Sequence, residues 1–137
     1  MSLIGAIATY AEDSGNPNNT ASLTHGRYYP NMLPNDPSYP AVTLTDITTL
    51  TVTAHDRTVA QETTRIQFDI YAKTRSEADT IAALLFSSFN GLNHVQIGSG
   101  NPDGGVYLKS ALRDNQFSEL DTDIDRWRVI QDYFFNV

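Results

Sequence analysis

The sequence has no cysteine. That excludes a disulfide framework, a thiolate metal site and a cysteine nucleophile. Long apolar runs are also missing. The opening Leu3-Ile4-Gly5-Ala6-Ile7-Ala8 is interrupted by glycine and preceded by no Lys or Arg. It therefore lacks the pattern of a secretory leader, and no run approaches the roughly 18 apolar residues of a membrane span. Asn18-Asn19-Thr20 matches a glycosylation acceptor, but no secretion signal accompanies it. The expectation is a chain made inside the cell, with no membrane partner. Bases are scarce: 9 Lys and Arg against 16 Asp and Glu give a formal charge of −7. This is the wrong sign for tight wrapping of nucleic-acid phosphates.

What remains is an ordinary single domain spanning residues 1–137, with 40% hydrophobic residues. At this length about 68% of the unfolded chain's surface can be buried, so a core forms without staples. Residues 2–12 predict a short helix, capped by Ser2, with Leu3, Ile7 and Tyr10 near one face. Residues 13–20 carry turn chemistry. Residues 26–40 hold Pro30, Pro34, Pro37 and Pro40, which predicts an irregular segment held down by its tyrosines and without regular pairing.

Residues 41–54 are rich in Thr and β-branched side chains and predict a strand. Val42 and Leu44 share one parity, Ile47 has the other, and Leu50 and Val52 return to the first. A bulge or bend near residues 46–48 reconciles them. Residues 55–63 predict a polar hairpin tip. Residues 64–73 alternate, with Ile66, Phe68, Ile70 and Ala72 on one face and Arg65, Gln67, Asp69 and Tyr71 on the other.

A helix follows. Thr74-Arg75-Ser76-Glu77 has capping-box spacing; Ala78, Ile81, Ala82, Leu85 and Phe89 form an apolar stripe widened by Leu84 and Phe86; Gly91 suits a left-handed terminator. Two further strands, residues 106–117 and 126–135, flank an acidic connection at residues 118–125. The fold class is therefore α+β: two layers, a mainly antiparallel sheet of about four strands, one helix across a face and a short N-terminal helix.

No catalytic constellation stands out. The glycine-rich residues 98–105 lack phosphate-loop spacing and a Lys-Ser/Thr, and run into a strand, so they are read as a loop. Asp121, Asp123 and Asp125 alternate like the start of a calcium loop. However, Arg126 stands where the turn needs glycine, and the group is read as a solvated acidic turn extended by Glu119. His25, His55 and His94 form no metal-binding frame. The reading includes no catalytic residue, metal or cofactor.

Arg65, Arg126 and Arg128 alternate on strands and are expected on the sheet face away from the helices, where cross-strand acids could meet them. Trp127, Tyr133, Phe134 and Phe135 place aromatics on both faces of the last strand. One face belongs to the core and the other to a neighbouring subunit. The candidate interface residues are His55, Arg57, Arg65, Arg126, Arg128 and Phe134.

Gly26-Arg27-Tyr28-Tyr29-Pro30 precedes the strand opening Tyr39-Pro40-Ala41-Val42-Thr43-Leu44. After it come Arg65-Ile66-Gln67-Phe68-Asp69-Ile70-Tyr71-Ala72 and a helix opening Ser76-Glu77-Ala78. This order resembles the tail-completion, or tail-terminator, proteins of long-tailed bacteriophages and related phage-like particles. The similarity covers residues 26–92 and, in order only, the last two strands. The chain departs from the family pattern in its shorter N-terminal helix, its Asn-rich loop and its longer link between the first two strands.

The resemblance implies a structural virion protein, assembled in the bacterial cytoplasm, that forms a hexameric ring. The ring would cap the tail tube, meet the head-neck connector, and let DNA pass through its lumen without tight binding. It implies no catalysis. Glu119, Asp121, Asp123 and Asp125, or the acids of residues 55–62, are candidate lumen residues whose charge would repel passing phosphates. Alternatives are another neck or tube component, such as a head-closure or tail-tube protein, or a small α+β enzyme or ligand-binding domain with a cleft under residues 26–40.

Overall fold

A computed structural model describes residues 3–53, 55–56, 59–100 and 104–137. The element order is α1 (Leu3–Glu12), α2 (Ala21–Thr24), β1 (Tyr28–Pro30), β2 (Ala41–Thr53), β3 (Val59–Ala72), α3 (Arg75–Phe89), β4 (Asn93–Ile97), β5 (Val106–Asp121) and β6 (Arg126–Asn136). The sheet has six strands in the order β1-β2-β3-β6-β5-β4, two more than the sequence suggests, and it curls into a half-barrel. Only β1 runs parallel to its neighbour.

α3 forms as its local signals predict. The Thr74 side chain accepts from the Glu77 amide at 3.2 Å, and Gly91 just past the helix has φ +87°. Ala78, Ile81, Ala82, Leu85 and Phe89 are all buried. They pack on Ile66, Phe68 and Ile70 of β3 and on Val129, Tyr133 and Phe135 of β6, within one core. Phe68 sits centrally, 5.6 Å from the Phe89 ring and 5.0 Å from Tyr133.

α1 lies on the same side of the sheet. Gly98 has φ +69°, and a Cβ there would lie 2.5 Å from the Ala6 backbone. Only glycine allows this approach of helix to loop. The turn at residues 13–20 is pinned by buried Asn16, whose amide donates to the Tyr10 carbonyl at 3.1 Å and to Ser88 Oγ at 3.0 Å.

Five expectations are corrected, the last of them the effect of the bulge in β2. Residues 28–30 do pair, parallel to β2. The bonds run from Val42 N to the Arg27 carbonyl and from Asn31 N to the Leu44 carbonyl, so the odd residues face β2 and the missing N–H of Pro30 falls on the outer edge, where it costs no ladder bond. β4 is a strand the sequence reading lacks. The acidic connection is shorter than expected, because β5 continues to Asp121, its polar end held by pairing with β6. The hairpin tip is shorter too, since β3 begins at Val59.

The bulge at residues 46–48 is present, but its effect differs from expectation. It leaves Leu50 opposite Thr63 and Thr48 opposite Arg65, so Leu50 and Val52 point away from the core. Ser2, Arg57 and residues 101–103 of the glycine-rich loop lie outside the described residues.

Candidate interaction surface

Strict alternation along β3 and β6 sends the apolar set to the helices and a second set to the opposite face, which no helix among the described residues covers. Arg65 and Arg128 lie on this open face with Asp69 and Asp132. Arg65 Nη2 is 2.9 Å from Asp132 Oδ2 and 3.2 Å from Asp114 Oδ2. Arg128 reaches Asp69 Oδ1 at 3.2 Å and Glu119 Oε1 at 3.2 Å. Each of the three face arginines also sits on an aromatic ring: Arg65 on Phe134 at 5.3 Å, Arg128 on Tyr71 at 5.6 Å and Arg126 on Tyr39 at 4.7 Å.

The electrostatics follow from this packing. The Arg65 guanidinium is pushed above its ordinary value first by its hydrogen bond to Asp132, against a smaller opposing effect of burial. For Arg128, burial opposes the charge, yet the nearby Asp69 and Tyr71 outweigh it and the value rises. Burial raises the Tyr71 hydroxyl, with Arg128 pulling the other way. Asp69 and Ile130 are each only 5% exposed and Asp132 8%, because long neighbouring side chains lie across them. Arg126 Nε, Arg128 Nε and Asp132 Oδ1 are buried here with no hydrogen-bond partner among the described residues.

The candidate acids divide. Glu119 and Asp121 lie on β5 opposite Arg128 and Arg126, on the open face. Asp123 and Asp125 lie in the turn joining β5 to β6 and are exposed; the Asp123 amide donates to Asp121 Oδ1 at 3.1 Å. Among the described residues the open face thus carries Asp69, Asp114, Glu119, Asp121 and Asp132 against Arg65, Arg126 and Arg128, an acidic excess. His55 is exposed in the turn that joins β2 to β3. No cluster of three metal-ligating side chains forms among the described residues.

Two edges of the sheet are incompletely covered. β1 pairs with β2 only at Val42, Thr43 and Leu44, leaving residues 46–53 of β2 without an outer neighbour among the described residues. β4 pairs with β5 up to Ser110, Ala111 bonds to Gly91 and Leu92 and the Arg113 amide donates to Asn90 Oδ1 at 2.9 Å, leaving residues 114–121 of β5 without an outer neighbour among the described residues. Exposed apolar side chains collect on these two stretches: Ile47, Leu50 and Val52 on β2, and Phe117 and Leu120 on β5, with Leu112 just before the second. The sequence reading assigned none of these residues to an interface; it placed Asp69 on the face opposite the core but named neither it nor Asp114 nor Asp132 as a partner of the arginines. Asp132 has the parity of Arg126 and Arg128, and that was the available signal.

A pocket of about 290 Å³ opens between α1 and the β1–β2 edge, lined by Ile4, Gly5, Ala8, Tyr28, Tyr29, Pro30 and Leu44. It contains no charged group. The Tyr28 hydroxyl is hydrogen-bonded to Thr20, and burial raises its ionisation well above the ordinary phenol range.

These features define an α+β half-barrel with helices on one side, an arginine–carboxylate ladder on the other, and two free strand edges. No family model matches the sequence, and no curated protein matches it. In fold it is similar to a chain in a solved structure described as the virion of a native gene transfer agent particle. The TM-score is 0.68 at 16% identity, over 99% of this chain and 94% of that chain.

Proposed function

We propose that the protein is a structural component of a phage-like virion, acting as a ring that terminates the tail tube and offers a surface to the head neck. The fold it shares with a gene transfer agent virion chain supports the class, and the resemblance of residues 26–92 to tail terminators supports the particular role. The six-fold symmetry, the tube and neck partners, and assembly in the bacterial cytoplasm come from that resemblance alone.

The observation that carries ring formation is the relation between the two free edges. β2, β3, β6 and β5 alternate in direction, so β2 of one copy and β5 of the next meet antiparallel when copies associate head to tail. The free stretches are offset along the strands. Leu50, central in one, lies in the row of Thr63, Asn136 and Ser110; Phe117 is central in the other. The bulge near residue 114 removes one residue from the count. Joining the stretches requires a stagger of about six residues, roughly 20 Å, across four strands spaced about 4.8 Å. That corresponds to a strand tilt of about 45°, at the upper end of the range of closed barrels. A closed ring also gives each free edge a partner, as edge strands require.

With the helices outside, the open face lines the lumen and its acidic excess keeps DNA phosphates from adhering. Glu119 and Asp121 then face the passage, and Asp123 and Asp125 lie at its rim. Arg65, Arg126, Arg128 and Phe134, expected from the sequence at a subunit interface, belong to this lining instead, since their partners lie within the same chain. Reversing the charges of Glu119, Asp121, Asp123 and Asp125 together should impair DNA ejection while rings persist; unchanged ejection removes this assignment.

Native mass measurement and negative-stain imaging, at rising protein concentration and with tail tubes of the same particle, test the ring. Closed rings, alone or seated on tube ends, are expected. Rings that stack into tubes instead would favour a tube protein. A monomer that neither closes nor binds tubes overturns the proposal, and small-molecule binding by such a monomer would favour a ligand-binding domain using the apolar pocket.

A further inference from the structure

Leu120 and the apolar pocket lie on the same face of the sheet at opposite edges. Leu120 stands opposite Trp127 on the helix side of β5 and is 45% exposed. The pocket at the other edge opens on the helix side too, since Leu44 is a core residue and Pro30 is its register partner. We infer that Leu120 of one copy seats in the pocket of the next, a knob and hole that set the stagger between neighbours. The inference rests on the head-to-tail pairing described above.

Height along the strands supports it. When Leu50 is set beside Phe117 of the neighbouring copy in antiparallel pairing, three rows along the sheet reach Leu120 on β5 and, across the bulge of β2, residues 46 and 47, where Asp46 shares the helix side with Ile66. That position lies two to three residues along β2 from Leu44, which with Pro30 of β1 lines the near end of the pocket. Direction supports it as well. Head-to-tail association keeps helix sides aligned, so an apolar side chain on the helix side of one edge meets the helix side of the other. The chemistry agrees: an uncharged pocket floored by Gly5 and Ala8 of α1 accepts an aliphatic group and offers nothing to a charged one.

Because the chain has no cysteine, the contact can be trapped cleanly. Ala8→Cys and Leu120→Cys are made in separate proteins, mixed and oxidised, and the dimers are identified by peptide mass. Disulfides between positions 8 and 120 should outnumber the 8–8 and 120–120 forms at least tenfold. Leu120→Asp should weaken self-association at least tenfold with an unchanged melting curve, and Leu120→Met should restore it. Assembly of the wild-type protein without the 8–120 link, or undiminished assembly of Leu120→Asp, overturns this contact and leaves the ring reading standing. Failure of the wild-type protein to assemble at all, with no 8–120 link, overturns both.

Discussion

Arg128 and Asp69 meet at 3.2 Å across β6 and β3, and the same guanidinium holds Glu119 at an equal distance. The two contacts differ in solvent. The Asp69 side chain is 7% exposed and that of Glu119 48%. Asp69 also accepts from Thr43 at 3.3 Å and from Gln67 at 3.1 Å, so its charge is embedded in a network. Arg128→Met should lower unfolding free energy by about 1–3 kcal/mol, because it leaves a buried carboxylate without its cation. Glu119→Gln should change it by less than about 0.5 kcal/mol, since an exposed pair is screened. Urea denaturation of the two variants measures the difference.

Gly98 is expected to be intolerant of a side chain. Its positive φ disfavours any L-residue, and an added Cβ would overlap the Ala6 backbone. Gly98→Ala should cost about 2–4 kcal/mol, from the left-handed conformation and the overlap together. Gly26, which also has a positive φ but nothing within 4 Å, is the control. Gly26→Ala should cost about 1 kcal/mol, in the same denaturation assay.

Removing the cap of α3 tests its local origin. Thr74→Ala deletes the acceptor for the Glu77 amide and should cost about 1 kcal/mol. Thr74→Ser should keep most of that stability, as read from thermal melts followed by circular dichroism.

Alkaline pH should unfold the protein through its buried phenols. Burial raises Tyr28 and Tyr133 above the ordinary tyrosine value, and Tyr71 is raised as well. Between about pH 10 and the raised folded values, the unfolded chain has lost these protons and the folded chain retains them. Stability is therefore intact below about pH 10 and falls as pH rises beyond it. Tyr133→Phe also forfeits the hydroxyl's bond to Gln131 at 3.0 Å, so it should be less stable at pH 7. Its stability should nevertheless decline less steeply with alkaline pH, by about one proton. Denaturation curves from pH 8 to 11.5 give that slope.

Local chemistry was legible in the sequence, and long-range pairing was not. Thr74 and Glu77 are three residues apart and name a helix start unaided; Ile66, Phe68 and Ile70 alternate over a few residues and name a buried strand face. β1 was missed because Pro30 argues against pairing unless the partner strand is known to lie on its other side. β4 was missed because Asn93, His94 and Gln96 are exposed and its register with β5 involves only a few residues. The parity of Arg65, Arg126 and Arg128 gave their face correctly. Their partners Asp69, Asp114 and Asp132 depend on β3 lying beside β6, a register between segments some sixty residues apart.

That neighbouring of β3 and β6 governs how the molecule reaches its structure. β6 is the last strand in the chain, yet it occupies the interior of the sheet between β3 and β5. During synthesis the β2–β3 hairpin and α3 can form early, but Phe68 and Phe89 have no Tyr133 or Phe135 to close over them until β6 is made. The topology places the decisive contacts at high sequence separation, which predicts folding on the slow, milliseconds-to-seconds scale. A nascent chain halted before residue 126 would expose its core and the paired edges of β3 and β5. Such a stalled chain is prone to aggregation, and the hazard ends when the final strand is inserted.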